Sequence, residues 1–188
     1  MIKTDRRARR TRAAISEAFI KLLTQKEISK ITVREITELA DINRATFYLH
    51  YTDVYQVLEE IENELASAFF ELVDKYDIKE LIHDPYPILK AIGDGIEGKP
   101  LFAKFVLNSA TSSNYFMKIK TELKRRIITT YDTEVASELY YALTFIIAGT
   151  LDSYEEWFEN NKPIPLETLC KNTSKFISGG VKSIIGEI

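Results

Sequence analysis

Residues 31–51 carry two short apolar patterns with helical spacing, separated by a polar break, and this window constrains the fold more than any other part of the chain. Thr32 can cap the first of these helices, and Glu35 three residues later completes a capping box. The break follows at Asp41, and Asn43 can cap a second short helix that runs to the end of the window. Two short helices joined by a turn of about three residues form the helix-turn-helix pattern.

The second helix of such a pattern can lie in the major groove of DNA. Arg44 stands at the start of this helix, where a guanidinium can form two hydrogen bonds with guanine. The hydroxyl and imidazole groups farther along suit phosphate oxygens, as does Thr32 at the start of the preceding helix. The residues expected to contact DNA from these two helices are Thr32, Arg34, Asn43, Arg44, Ala45, Thr46, Tyr48 and His50.

The charge of the chain is unevenly distributed. Residues 1–51 hold 11 Lys and Arg against 6 Asp and Glu, a net +5, whereas the remainder is net −8. A basic head on an acidic body indicates that the head meets a polyanion, here double-stranded DNA. Four arginines of the N-terminal segment are expected to act as a tail that follows the DNA backbone or enters the minor groove. They are Arg6, Arg7, Arg9 and Arg10, and a solvated basic tail is the alternative.

Apolar spacing elsewhere predicts an all-α fold of about nine helices, with a three-helix DNA-binding domain over 1–52 and a regulatory, dimerising domain over 53–188. Asp84 with Pro85, and the stretch 93–100, are expected to separate two shorter helices. The helices outside the central window are predicted at about 8–24, 53–76, 115–131, 134–160 and from 165 onward.

Residues 31–36 and 40–51, with their neighbours across about 8–62, resemble the tetracycline-repressor (TetR) family of bacterial regulators. The resemblance implies three DNA-binding helices, a linking fourth helix, and a C-terminal domain that dimerises and binds an inducer. It also implies a cytoplasmic homodimer that represses from a palindromic operator until a small molecule releases it. The family's roles fall on Thr32, Thr46, Tyr48 and His50 for phosphates, and on Arg34, Arg44 and Ala45 for bases.

The chain departs from this pattern at two positions. Family members usually carry a phosphate-binding lysine at the start of the fourth helix, where this chain has Val54 beside Asp53. A turn position often held by glycine is Asp41, which accepts a left-handed conformation less easily. We expect one backbone contact to be lost at Val54, with the basic N-terminal segment compensating for it.

The C-terminal half is rich in aromatic residues, and a helical domain of this composition can enclose an apolar pocket for an apolar or aromatic effector. The predicted pocket residues are Phe105, Asn108, Tyr115, Tyr141, Phe145 and Trp157. Small and apolar residues at helical spacing on the last two helices predict an isologous four-helix dimer interface. The predicted interface residues are Ala142, Ile146, Gly149, Phe176, Gly180 and Ile184.

Two other classes of function compete with this interpretation. An enzyme is disfavoured, because two histidines and one cysteine leave little material for a nucleophile or a metal site, and no glycine-rich phosphate loop is present. No cofactor, metal or membrane-spanning segment is expected. A regulator of the same type that lacks a small-molecule ligand, and acts as a coactivator or under a protein partner, remains the alternative.

Overall fold

The computed structural model describes residues 2–98, 113–131 and 133–185, and these residues form an all-α fold. The described part contains nine α-helices and a 3₁₀ turn at Ile28–Lys30, and no strand. The helices are α1 (Ile2–Leu23), α2 (Val33–Leu39), α3 (Arg44–Tyr48), α4 (Val54–Val73), α5 (Ile78–His83), α6 (Tyr86–Glu97), α7 (Ser113–Thr130), α8 (Thr133–Glu159) and α9 (Leu166–Ile185).

Side-chain caps begin the helices of the N-terminal part where the sequence predicts them. Thr32 and Glu35 form the complete capping box of α2. Asn43 caps α3 by accepting a hydrogen bond from the Ala45 N–H. The Asp53 carboxylate accepts from the second and third N–H groups of α4. Each cap satisfies N–H groups that the helix itself leaves without a partner, so the chain's turns occur at defined residues.

Three boundaries differ from the prediction. The basic N-terminal segment is not a tail, because α1 is already helical from Ile2 and carries the arginines on its surface. Helix α3 ends at Tyr48, three residues early, since the next N–H groups turn back to the Phe47 and Thr46 carbonyls. Helix α6 continues through Gly93 to Glu97 instead of breaking there.

The turn between α2 and α3 is a Schellman motif centred on Asp41. Asp41 has a φ of 52°, the left-handed conformation that this motif requires. The Ile42 N–H bonds to the Thr37 carbonyl at 3.0 Å, and the Asp41 N–H to the Glu38 carbonyl at 3.4 Å. Ile36 and Ile42 lie in the same apolar cluster, which closes the motif. This turn sets the angle at which α3 leaves α2.

The largest apolar cluster joins both halves of the molecule. It includes Phe19 of α1, Ile36 of α2, Phe47 of α3 and Val57 of α4, all fully buried, and extends to Ile119 of α7. Helix α9 packs against α6 and α8, and α8 packs against α7. None of the helices within 2–98, 113–131 and 133–185 combines the length and hydropathy that crossing a bilayer requires.

Gly93 remains helical because α6 and α9 approach closely at this point. A Cβ atom on Gly93 would lie 2.8 Å from Leu166 Cδ1 and 3.3 Å from its Cγ, and Leu166 is buried. Gly95, one half-turn away, has no atom within 4 Å of such a Cβ. The two glycines therefore differ in packing while sharing the same helix.

We expect Gly95→Ala to raise the free energy of unfolding by about 0.5–1 kcal/mol, because alanine favours a helix interior over glycine. Gly93→Ala makes the same backbone gain but forces Leu166 to move, so it should be less stable than Gly95→Ala by about 1–3 kcal/mol. Urea unfolding of the two variants measures the difference. Equal free energies of unfolding for the two variants would show that Leu166 moves aside without an energetic cost.

The strain at Asp41 gives a second test. Asp41→Gly should leave the free energy of unfolding unchanged or raise it by up to about 1 kcal/mol, since glycine adopts positive φ freely. Asp41→Ala should lower it by about 1 kcal/mol, because alanine has neither that freedom nor a polar side chain. Chemical denaturation followed by circular dichroism ranks the three proteins. An alanine variant as stable as the glycine variant would contradict the left-handed turn.

Candidate nucleic-acid interface and internal cavity

The N-terminus of α2 is held by a compact polar cluster. The Thr32 N–H and hydroxyl both donate to Glu35 Oε2, at 3.0 Å and 2.8 Å, and Lys26 Nζ lies 2.5 Å from Glu35 Oε1. Lys26 and the Thr32 donors lower the pKa of Glu35 to about 2. The carboxylate is therefore ionised at neutral pH, and the capping box stays formed. The Thr32 hydroxyl proton, predicted for a phosphate, is engaged with Glu35 in the free protein.

Helix α3 presents a polar outer face and one buried anchor. Phe47 is fully buried, whereas Arg44, Ala45 and Tyr48 are exposed. The guanidinium of Arg44 donates to the Tyr48 hydroxyl at 3.2 Å and lies 5.6 Å from the centre of its ring. The two predicted DNA-contacting side chains thus form a single exposed unit at the start of α3.

The remaining predicted contacts surround this unit. Asn43 is exposed, and its side-chain Oδ1 accepts the capping hydrogen bond from the Ala45 N–H, while Thr46 and His50 are half-buried. Arg34 on α2 is exposed and pairs with Glu38, with Nε and Oε1 2.7 Å apart. An ion pair this exposed is screened by water and adds little to stability, so Arg34 can exchange it for a stronger acceptor at little cost.

The four arginines at the start of α1 are exposed and form no ion pair with a described residue. Arg12, farther along, lies 3.6 Å from Glu60 of α4. The free positive charge of the head is therefore concentrated at the N-terminal end of α1, in the residues Arg6, Arg7, Arg9 and Arg10.

Leu49 and Tyr55 are exposed near α3 and were missed as candidates by sequence reasoning. Leu49 follows Ala45 by four residues and is 81% exposed, so both can face a groove, where apolar groups contact the thymine methyl. Val54, at the position of the family's lysine, is buried in the main cluster and offers no side chain to a phosphate. Tyr55 beside it is exposed and carries a hydroxyl. The signal for Leu49 is the four-residue spacing from Ala45.

A cavity of about 190 Å³, partly open to solvent, lies in the C-terminal half between residues of α4 to α9. Its described lining contains no charged residue, and only Tyr115, Thr150 and Tyr154 among the lining residues have polar side chains. Tyr115 was predicted as a pocket residue and does line the cavity. Phe105 and Asn108, also predicted, lie outside the described residues.

The other predicted pocket residues lie elsewhere. Tyr141 and Phe145 are 76% and 80% exposed on the outer face of α8, so their assignment to the pocket was wrong. Trp157 is buried but does not line the cavity, because its indole N–H donates to the Ile164 carbonyl at 2.7 Å and fixes the loop before α9. A helix that is apolar on both faces offers no pattern to separate inward from outward residues.

The predicted dimer residues divide between the inside and the outside. Ala142 and Ile146 line the cavity, Ile184 packs against a cluster of α7, α8 and α9, and all three side chains are half-buried. Gly149, Phe176 and Gly180 are exposed. Phe176 of α9 is 81% exposed, Tyr141 and Phe145 of α8 are exposed as well, and the two helices pack against each other. We call these three exposed side chains the α8–α9 face.

A buried carboxylate connects α4 with the cavity wall. Glu62 of α4 is only 2% exposed, and its Oε2 accepts a hydrogen bond from Asn114 Nδ2 at 2.7 Å. Lys118 Nζ lies 3.9 Å from the same oxygen and donates to Asn63 at 2.8 Å. Asn114 and Lys118 belong to α7, next to Tyr115. These contacts fix the position of α7 along α4. The sequence pattern did not predict them.

No group of three or more histidine, cysteine or carboxylate side chains in the described parts of the chain could hold a metal ion. The lone cysteine, Cys170, is buried with its sulfur 3.1 Å from the Tyr154 hydroxyl. Burial raises the pKa of the Cys170 thiol above its usual value. It therefore belongs to the packed core.

Two curated proteins match part of the chain. The HTH-type transcriptional regulator YxbF of Bacillus subtilis is 43% identical over 72 residues, which are 38% of this chain and 19% of that protein. The HTH-type transcriptional regulator AcrR of Shigella flexneri is 30% identical over 90 residues, or 48% of this chain and 41% of that protein. The matches thus span less than half of either relative, and both relatives are regulators, not enzymes. No family model matches the chain.

Solved structures resemble the chain over nearly its whole length. A TetR transcriptional regulator from Streptococcus agalactiae has a TM-score of 0.60 at 24% identity and covers 93% of this chain and 97% of its own. A TetR-family regulator from Syntrophomonas wolfei has a TM-score of 0.71 at 13% identity, with coverages of 95% and 98%. The chain therefore shares its all-α fold with these two TetR regulators over nearly its whole length.

Proposed function

We propose that the chain is a sequence-specific, DNA-binding transcriptional regulator that acts as a homodimer in the bacterial cytoplasm. Residues 1–52 form its DNA-binding unit, and residues 53–188 its regulatory and dimerising unit. The observation that carries the proposal is the exposed unit of Arg44 and Tyr48 on α3, whose orientation is fixed by buried Phe47. An arginine at the start of a recognition helix suits guanine, and the hydroxyls around it suit phosphates.

The α8–α9 face supports the homodimer. Large apolar side chains that are exposed on two helices packed against each other are a surface that proteins normally cover. Two copies related by a twofold axis would bury it as a four-helix bundle. The same axis would place two α3 helices about one DNA turn apart, which calls for a palindromic operator.

The cavity supports release by a small molecule over control without a ligand. A regulator that only binds protein partners needs no such space, whereas this chain has an apolar cavity, partly open to solvent, beside α4 and α7. Asn114, adjacent to the cavity residue Tyr115, bonds to Glu62 of α4, and α4 shares its core with α1. A ligand that shifts α7 would shift α4 and so favour one spacing of the two α3 helices. Repression, relieved by that ligand, is the proposed mode.

Selection of bound duplexes from a random DNA pool tests the regulator itself. We expect enrichment of a palindrome with half-sites one helical turn apart, bound in a salt-dependent manner. Salt-dependent binding without any enriched sequence would overturn sequence-specific recognition.

On the selected operator, Arg44→Ala should weaken binding by about 1–3 kcal/mol and relax base preference, because a bidentate contact to guanine is removed. Arg125→Ala is the matched control, since Arg125 is an exposed arginine on α7, paired with Glu122 and remote from α3. Fluorescence anisotropy on operator and scrambled duplexes measures both. Equal losses of Arg44→Ala on the two duplexes would mean that Arg44 contacts only the backbone.

Phe145→Glu should convert the dimer into a monomer, because it places a charge at the centre of the α8–α9 face. Operator affinity should then fall by roughly 10²-fold or more as the two half-sites are no longer held together. Met117→Glu, an equally apolar-to-acidic change at an exposed site of α7, should leave the dimer intact. Analytical ultracentrifugation distinguishes these states. A Phe145→Glu protein that still sediments as a dimer would place the interface elsewhere.

A further inference from the structure

The cavity has a small volume, its described lining carries no charge, and the hydroxyl of Tyr115 in this lining has no hydrogen-bond partner among the described residues. These three properties indicate the chemistry of the ligand. The inference rests on the proposed function for the role of the cavity as the effector site.

The volume of the cavity favours small ligands. The cavity measures about 190 Å³. Cavities of about 150 Å³ lined by apolar residues admit benzene, whereas pockets for drug-sized ligands begin near 300 Å³. A single ring or a short branched chain therefore fits within the cavity.

Charge is excluded by the lining. No lysine, arginine, histidine, aspartate or glutamate is found among its described residues. Moving an ionised carboxylate or ammonium group into such surroundings costs several kcal/mol unless a partner charge awaits it. The buried carboxylate of Glu62 already has Asn114 and Lys118 as partners. We therefore expect the part of a ligand that lies against the described lining to be neutral.

Tyr115 supplies a hydrogen-bond donor without a partner. The residue is 8% exposed, lines the cavity, and forms no hydrogen bond with the described parts of the chain. Burial raises the pKa of its phenol to about 12, so the hydroxyl stays protonated at any physiological pH. By contrast, the Tyr154 hydroxyl is already engaged with Cys170 and the Leu89 carbonyl. A ligand oxygen in the cavity would give this hydroxyl the hydrogen-bond partner that it lacks among the described residues.

We propose that the effector is an uncharged, apolar molecule of about one ring that carries a single oxygen acceptor, and that the Tyr115 hydroxyl donates to this oxygen. Ketones, aldehydes, esters and ethers of this size share the required chemistry. Thr150, the other lining residue without a hydrogen-bond partner among the described residues, is only half-buried and is not assigned this role.

Three probes of equal shape test the proposal by calorimetry on the full chain without DNA. They are acetophenone, a neutral ketone; ethylbenzene, which lacks the oxygen; and benzoate, an anion at pH 7. Acetophenone should bind, and benzoate should bind at least roughly a hundredfold more weakly because its charge has no partner. Benzoate binding as tightly as acetophenone, or no binding by either neutral probe, would overturn the proposed chemistry.

Tyr115→Phe isolates the anchor, because it removes one oxygen and keeps the ring. The preference of the protein for acetophenone over ethylbenzene should shrink by about 2- to 12-fold in this variant, as expected for one hydrogen bond. Thr150→Val is the matched control and should leave that preference unchanged. A preference lost in Thr150→Val and retained in Tyr115→Phe would overturn the assignment of Tyr115. If Tyr115→Phe does not fold, the comparison of acetophenone with benzoate in the unaltered chain still decides the neutral class.

Operator binding separates this inference from the proposed function. If acetophenone binds in the cavity with the expected selectivity but leaves operator affinity unchanged, the cavity chemistry stands and release by an effector fails. If the chain recognises an operator but admits none of the neutral probes, the regulator stands and the effector chemistry fails.

Discussion

The orientation of α3 depends on the burial of one side chain, Phe47. A helix of five residues has no stability of its own in water, because nucleation costs more than so few hydrogen bonds return. Phe47 is fully buried against α1, α2 and α4, and the Asn43 cap and the left-handed turn at Asp41 bring it there. Every exposed group of the proposed DNA face is placed by this anchor, so core packing and recognition cannot vary independently at α3.

The long helix α8 serves two surfaces at once. Ala142 and Ile146 line the cavity, whereas Tyr141 and Phe145 lie on the α8–α9 face one residue away. A ligand that pushes on the inner residues therefore acts on a helix whose outer side is proposed to meet the second subunit. Internal binding and subunit packing share a single rigid element, which offers a second physical route from the cavity to the spacing of the two DNA-binding units.

The sequence predicts the N-terminal part well, because local chemistry decides it. Capping residues such as Thr32 and Asp53 start helices by bonding to the backbone within three residues, and the structure has them in these roles. The C-terminal part depends on which face of an apolar helix turns inward, and Phe145 and Ile146 carry no local signal of that choice. The Glu62–Asn114 contact joins residues 52 positions apart and is equally invisible to local pattern. Gly93 was interpreted as a helix break, although its role is the close approach of Leu166.

The helical state of the N-terminal arginines changes how they can act. At 100° per residue, Arg6, Arg7, Arg9 and Arg10 fall within an arc of about 160°, opposite the side on which Ile15 and Phe19 are buried. A disordered arm would lose conformational entropy on meeting DNA and could adapt to many groove shapes. A stripe of charge on a preformed helix avoids that loss, but it projects from one fixed position relative to α3. The arginines then present positive charges at fixed distances from one another and from α3. DNA whose phosphates do not match these distances is bound with little help from them.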